Sequence, residues 1–216
     1  MAILFEDRFD GTGTLLAHVS DSGAGWVNVF EGGTLDVGGG VVYQRPGYSV
    51  FTSQAKVAEP LFVSGTVEIV VELEVMPGSV TGTVSAGAAL GNDDGGLGFT
   101  VNVGNAGYCV VASDGLGAPA SVVLSSGSES ATRTHTIRIV GIVGSSAASL
   151  YANGVLVGPF TLYAPLGTDL SVLLLLSPNR TAGNTPLVGV SSVVVQGEGP
   201  VVGEFWTNII RAAETP

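Results

Sequence analysis

The sequence predicts an all-β chain, a sandwich or a barrel, and three observations predict it. Gly accounts for 33 of the 216 residues and Val for as many again. β-Branched side chains fit a pleated sheet, and Gly fits the turns between strands. Apolar or alternating runs of 4–10 residues recur along the chain, each broken by turn residues. A helix-length amphipathic pattern is missing until the last twenty residues. No period of 20 to 50 residues recurs, so neither a propeller nor a solenoid is supported.

The elements follow in order. Segments 3–9, 26–30, 34–37, 41–44 and 50–57 open the chain as strands, with Gly38-Gly39-Gly40 as a tight bend. Segment 66–75 is the most regular. Val67, Ile69, Val71, Leu73 and Val75 point one way, Thr66, Glu68, Glu72 and Glu74 the other, and only Val70 breaks the alternation. One buried and one wet face is antiparallel behaviour. Segments 84–90, 98–103, 108–113, 121–124 and 134–140 come next. Turn clusters at Asn92-Asp93-Asp94-Gly95-Gly96 and Ser113-Asp114-Gly115, and a polar loop over 125–130, separate them. Asn153-Gly154 then joins 149–152 to 155–157, supplying the two positive-φ residues that a type I′ hairpin requires. Segments 171–176 and 188–195 complete one domain over 1–197.

The tail, 198–216, differs in character. Phe205/Ile209 and Trp206/Ile210 are i,i+4 pairs, so a short helical turn there carries a compact apolar stripe, extended by Val201 and Val202. An exposed cluster of that size drives association. It is buried either over its own sandwich or on an adjacent subunit or capsid protein. The second is preferred, with Phe205, Trp206, Ile209 and Ile210 as the interface and Trp206 as its anchor.

Composition and charge exclude several classes. Seven Lys+Arg against 18 Asp+Glu give a net charge of -11, so no nucleic-acid partner is expected. One Cys, Cys109, forbids an intrachain disulfide and a Cys-rich metal site; in its apolar strand it reads as a small buried residue. The 45% hydrophobic content argues against disorder. No targeting segment and no run long enough to cross a membrane is visible, so no membrane partner is expected. Asn179-Arg180-Thr181 matches the glycosylation pattern, and with no signal peptide visible it is not expected to be modified.

Two stretches carry a resemblance. The opening runs Phe5-Glu-Asp7-Arg-Phe9-Asp-Gly11-Thr-Gly13-Thr-Leu-Leu-Ala-His18-Val-Ser-Asp21-Ser-Gly23-Ala-Gly-Trp26. It resembles the start of concanavalin A-like lectin/glucanase jelly-roll domains of tailed-phage structural proteins. The later stretch, 134–140 with the hairpin 150–158, resembles the late hairpin of laminin-G and legume-lectin-like sandwiches. The resemblance covers the domain and not the tail. It implies a two-sheet antiparallel jelly-roll sandwich whose first strand pairs near the last.

Retaining glycosidases need two carboxyls about 5–5.5 Å apart. Glu68, Glu72 and Glu74 share a strand face, but the glucanase pattern Glu-x-Asp-x-x-Glu is absent, and the face reads as solvated. No Gly-x-Ser-x-Gly elbow exists, and the one Lys, Lys56, belongs to no phosphate loop. His18 reads as a structural hydrogen-bonder and His135, in phase with Ile137 and Ile139, as a half-buried packing residue. Asn92, Asp93 and Asp94 put oxygen donors in one loop that suits Ca²⁺, and equally make a good turn. Tyr43, Tyr48 and Arg45 form an aromatic and polar cluster suited to a glycan. The expectation is a non-enzymatic virion protein, a capsid-decoration or tail component. Its partners are other virion proteins or copies of itself, with cell-surface glycans as a further ligand and Ca²⁺ as the one cofactor candidate. A free lectin or adhesin head is the alternative, and a β-glucanase the third.

Overall fold

A computed structural model describes residues 1–30, 33–45, 53–75, 84–92, 95–104, 107–112, 120–125, 132–162, 164–177 and 188–198. The strands are β1 (Ala2–Asp7), β2 (Thr12–Thr14), β3 (Trp26–Phe30), β4 (Leu35–Gly38), β5 (Val41–Gln44), β6 (Ser53–Val57), β7 (Leu61–Phe62), β8 (Ser64–Val75) and β9 (Val84–Asn92). They continue as β10 (Gly95–Gly104), β11 (Gly107–Ala112), β12 (Ala120–Ser125), β13 (Arg133–Ile142), β14 (Ala147–Ala152), β15 (Val155–Thr161), β16 (Asp169–Leu176) and β17 (Val188–Glu198). A 3₁₀ turn, Leu15–Ala17, is the one helical element among the described residues.

Every predicted strand is present, and two more appear. Thr12-Gly13-Thr14 (β2) carries no apolar residue, and Leu61-Phe62 (β7) is two residues long, so neither leaves a periodic signal.

The strands form a two-sheet antiparallel jelly-roll sandwich. The first sheet runs β15-β14-β13-β8-β17-β5-β4-β2, with β1 also on β17; the second runs β12-β11-β10-β9-β16-β6-β3, with β7 also on β16. The first strand does pair with the last, Phe5 opposite Val195 and Asp7 opposite Val193. Ile69, Leu73, Ile137, Ile139 and Leu150 of the first sheet and Leu90, Leu97, Leu170 and Leu174 of the second are fully buried in one core. Each such side chain stabilises the fold by about 1.5–3 kcal/mol.

The opening motif folds into a knot around one carboxylate. Asp7 is 1% exposed. Its Oδ1 accepts from the Phe9 backbone N–H at 2.8 Å and lies 2.8 Å from His18 Nε2, and its Oδ2 accepts from Trp26 Nε1 at 2.9 Å. The rings of Phe5 and Phe9 each sit 5.9 Å from that of Trp26. Asp21 and Ser22 accept from the backbone N–H groups of Arg8 and Glu6, tying the 18–26 loop across β1. His18 is therefore structural, and Trp26, at 3% exposed, belongs to the core.

The two predicted tight turns have the required geometry. Asn153 and Gly154 hold φ of 49° and 80° between the paired Ala152 and Val155, and Gly39 and Gly40 hold 66° and 80° between Gly38 and Val41. Asn153 is also tied to Thr136, whose backbone N–H donates to its Oδ1 at 2.9 Å. Gly154→Val should destabilise the protein by about 1–2 kcal/mol, because a β-branched residue resists left-handed backbone. A thermal melt checks it: an unchanged Tm would mean the turn is not formed.

Glu68 departs from its predicted wet environment. It is 7% exposed, although Glu72 beside it on the same face is exposed. Gln196 and Val140 flank it on β17 and β13, and Arg138 Nε sits 3.0 Å from its Oε2 while stacking 4.5 Å over the Tyr151 ring. Long neighbours on an outer face have covered a carboxylate that strand periodicity alone leaves in water. Glu68→Gln should therefore lower stability by about 1 kcal/mol, and Glu72→Gln by less than about 0.5 kcal/mol. Equal melting temperatures for the two variants would contradict the difference in environment.

His135 is more buried than predicted, at 5% exposed, and its Nδ1 lies 3.3 Å from Asn153 Nδ2. Cys109 lies in β11, opposite Asn102 and Val123.

Candidate functional site

Charge is divided unequally between the sheets. The strands of the first sheet carry Glu6, Asp7, Asp36, Glu68, Glu72, Glu74, Arg133, Arg138 and Glu198. Those of the second carry two charged residues, Lys56 and Asp169. In a chain of net charge -11 this leaves the described strands of the second sheet poor in charge.

Register builds the outer face of this sheet row by row. Val27 on β3 lies opposite Lys56, Lys56 opposite Leu173, Leu173 opposite Ala89, and Ala89 opposite Gly98. The next row is Ser171, Gly91 and Gly96. The floor over β9 and β10 is thus low, and Val27, Val29 and Phe30 stand exposed at its β3 margin. A Cβ added to Gly96 would lie 2.4 Å from Gly91 Cα and Leu90 O, so this pair admits no side chain without moving the ladder.

A cleft of about 380 Å³ opens on this face. Val29, Lys56, Ala58, Pro60 and Leu173 form one part of its lining, and Gly91, Asn92, Asp169 and Ser171 the other. Lys56 and Asp169 are both exposed and form no ion pair with each other or with another described residue. The described lining holds a single carboxylate, Asp169, with an amide, a hydroxyl and an ammonium around it. That set binds hydroxyls and charge; the two-carboxyl geometry of glycoside hydrolysis is not among it.

The predicted site residues are scattered. Asn92 reaches the cleft, and its Nδ2 lies 2.9 Å from where a Cβ on Gly167 would sit. Asp93 and Asp94 lie outside the described residues, as do Tyr48 and the interface residues Phe205, Trp206, Ile209 and Ile210. Among the described residues no group of three His, Cys, Asp or Glu could hold a metal.

Tyr43 and Arg45 belong to the other sheet. Arg45 is held in a two-point contact by Asp36, at 2.6 Å from Nε to Oδ2 and 2.8 Å from its other nitrogen to Oδ1. Tyr43 leans over Gly38, its hydroxyl 3.4 Å from a Cβ placed there. Lys56 and Asp169 were missed as a pair because their neighbourhood depends on the β6–β16 ladder, which no local pattern encodes.

No protein-family model and no curated protein matches the sequence. Solved structures do match in fold. A β-glucanase of Bacillus licheniformis aligns with TM-score 0.57 at 14% identity, over 90% of this chain and 98% of that one. The Crh5 transglycosylase aligns at 0.56 and 15%, over 93% and 89%. The Emp47p carbohydrate recognition domain aligns at 0.51 and 10%, over 90% and 97%. The fold is that of concanavalin A-like lectins and glucanases, and identities this low speak for the fold alone.

Proposed function

We propose that this chain is a non-hydrolytic structural protein of a phage-like particle, a capsid-decoration or tail component that uses the lectin-type jelly roll as a packing module. The observation that carries the reading is the charge-poor outer face of the second sheet, whose described strands hold only Lys56 and Asp169. Protein contact surfaces are depleted of charge at their centres, whereas a catalytic glycan cleft needs paired acids. The phage-like opening segment and the apolar stripe of residues 201–210 support the same reading. Adhesion to surface glycans is its second activity, through Tyr43, Tyr48 and the exposed Arg45. Ca²⁺ is the cofactor candidate, at Asn92 with Asp93 and Asp94. The chain is then made in a host cytoplasm and ends in the virion.

A reducing-sugar assay on β-glucan, run beside a glycan array, tests this. The expected result is no sugar release, with any array signal weakened by Arg45→Ala. Release of reducing ends that tracks the protein would overturn the non-hydrolytic reading and favour the glucanase. Strong glycan binding by a chain that associates with no particle would favour the free lectin.

A further inference from the structure

We infer that the outer face of the first sheet, at the end where β17 finishes, receives the apolar stripe of residues 201–210 from a second copy of this chain, so that copies are joined by exchanged tails. The inference names the surface that receives the tail in the assembly role proposed above, and it rests on that reading.

The outer face of the first sheet is polar in one half only. Strand alternation should leave it polar throughout, and near Val75 it does: Thr136, Glu72 and Ser192 form one row, and Thr134, Glu74 and Gly189 the next. Toward Glu198 the rows turn apolar. Val70 stands opposite Val194, and Tyr151 and Leu156 lie in the same row beyond Arg138. The following row sets Val140 and Ile3 on either side of Glu68 and Gln196, and Ile142, opposite Thr66, comes after it. Ile3, Ile142 and Leu156 are each more than half exposed, and Val70, Val140 and Val194 are half-buried. The one break in the β8 alternation, Val70, therefore belongs to a patch that crosses six strands. Its charges are compensated: Glu68 is covered and paired with Arg138, and Glu6 is paired with Arg8. The exposed carboxylates Glu72 and Glu198 stand at its two borders. A contiguous apolar patch of this kind marks an interaction surface.

The chain itself supplies the occupant. Eighteen residues follow Glu198, and the apolar stripe begins three residues on, at Val201. With Phe205/Ile209 and Trp206/Ile210 spaced i,i+4, ten residues of helix would be about 15 Å long and about 10 Å wide. The patch spans β15, β14, β13, β8, β17 and β1, about 24 Å at about 4.8 Å per strand, and three outward rows, about 13 Å at about 3.3 Å per residue. One stripe fits within it. Glu204 is the one carboxylate of residues 201–210, and Arg138, its side chain 44% exposed, is the cation at the centre of the patch.

Two features send the stripe to a neighbour. Pro200 offers no N–H to close a turn and pushes Gly199 toward extended backbone, which favours an exit along β17, away from the chain's own face. Copies of net charge -11 also repel, and a tail keeps them apart. Residues 199–201 alone reach about 10 Å, beyond the Debye length of about 8 Å at physiological salt. Two copies that exchange tails reciprocally close a dimer.

The test is complementation between full-length variants, read by sedimentation equilibrium. Wild type should associate. A donor variant, Phe205→Ser with Trp206→Ser, and a receiver variant, Ile3→Glu with Ile142→Glu, should each weaken self-association at least about tenfold. Their equimolar mixture should associate at least about tenfold more tightly than either alone, because one intact stripe then meets one intact face. Should either fail to fold, as judged by near-UV circular dichroism, Trp206→Ala and Leu156→Glu carry the same readouts. A monomeric wild type, variants that associate as well as wild type, or a mixture no tighter than its components would each overturn the inference; the last is the result for a tail laid on its own sandwich. Complementing variants of a chain found in no particle would sink the particle reading and leave the face assignment standing. A monomeric chain built into particles would do the reverse.

Discussion

Asp7→Ala should destabilise the protein by about 3–5 kcal/mol, the loss typical of removing one partner from a buried charged network. Three donors lose their acceptor together: the Phe9 N–H, His18 Nε2 and Trp26 Nε1. The Phe9 N–H and Trp26 Nε1 cannot turn to water, because Phe9 and Trp26 are buried at 0% and 3% exposure. Phe9 also holds a positive φ of 52°, a conformation a bulky residue adopts only under outside constraint. The carboxylate that fixes its N–H supplies that constraint. For a chain of this size the loss corresponds to a fall in Tm of about 6–20 °C. Asp7→Asn, which keeps one acceptor oxygen, should fall between wild type and Asp7→Ala. A melting temperature that does not respond to Asp7→Ala would mean the opening motif does not close around this residue.

The second large effect concerns the C-terminal stripe. A chain ending at Glu198 keeps all of β17, including the pairing of Gly197 with Ala2 and of Glu198 with Ser64. It should fold with a Tm close to that of the full chain. It should nevertheless lose particle association by at least about a hundredfold, since a buried aromatic anchor of the Trp206 kind is worth 2 kcal/mol or more and its apolar neighbours add to it. Size exclusion and circular dichroism on the truncated chain check folding, and co-sedimentation with particles checks association. Equal association, or an unfolded truncated chain, would remove the stripe from its role as an anchor.

How much of this was legible in the sequence depends on how local the cause is. β8 was readable because Val67, Ile69, Val71, Leu73 and Val75 alternate with polar residues over one strand, and the Asn153-Gly154 turn because two adjacent residues determine it. The resemblance of the opening predicted the pairing of first and last strands. It did not predict why Phe5, Asp7, Phe9, His18 and Trp26 keep their spacing, which appears only when one carboxylate is seen to gather three donors. Glu68 misled because its burial comes from Arg138 and Gln196, 70 and 128 positions away, and not from its own strand. The charge-poor face is the clearest case. Each of its strands is unremarkable alone, and the missing charge becomes a surface only after the ladders β6–β16, β16–β9 and β9–β10 place them side by side.

The most direct measurement is quantitative mass spectrometry of purified particles of the phage-like kind proposed above, prepared from the source that expresses this chain. The account predicts the protein at a fixed copy number relative to the major capsid or tail protein, retained through density-gradient purification. A chain abundant in the infected lysate but absent from purified particles would contradict it.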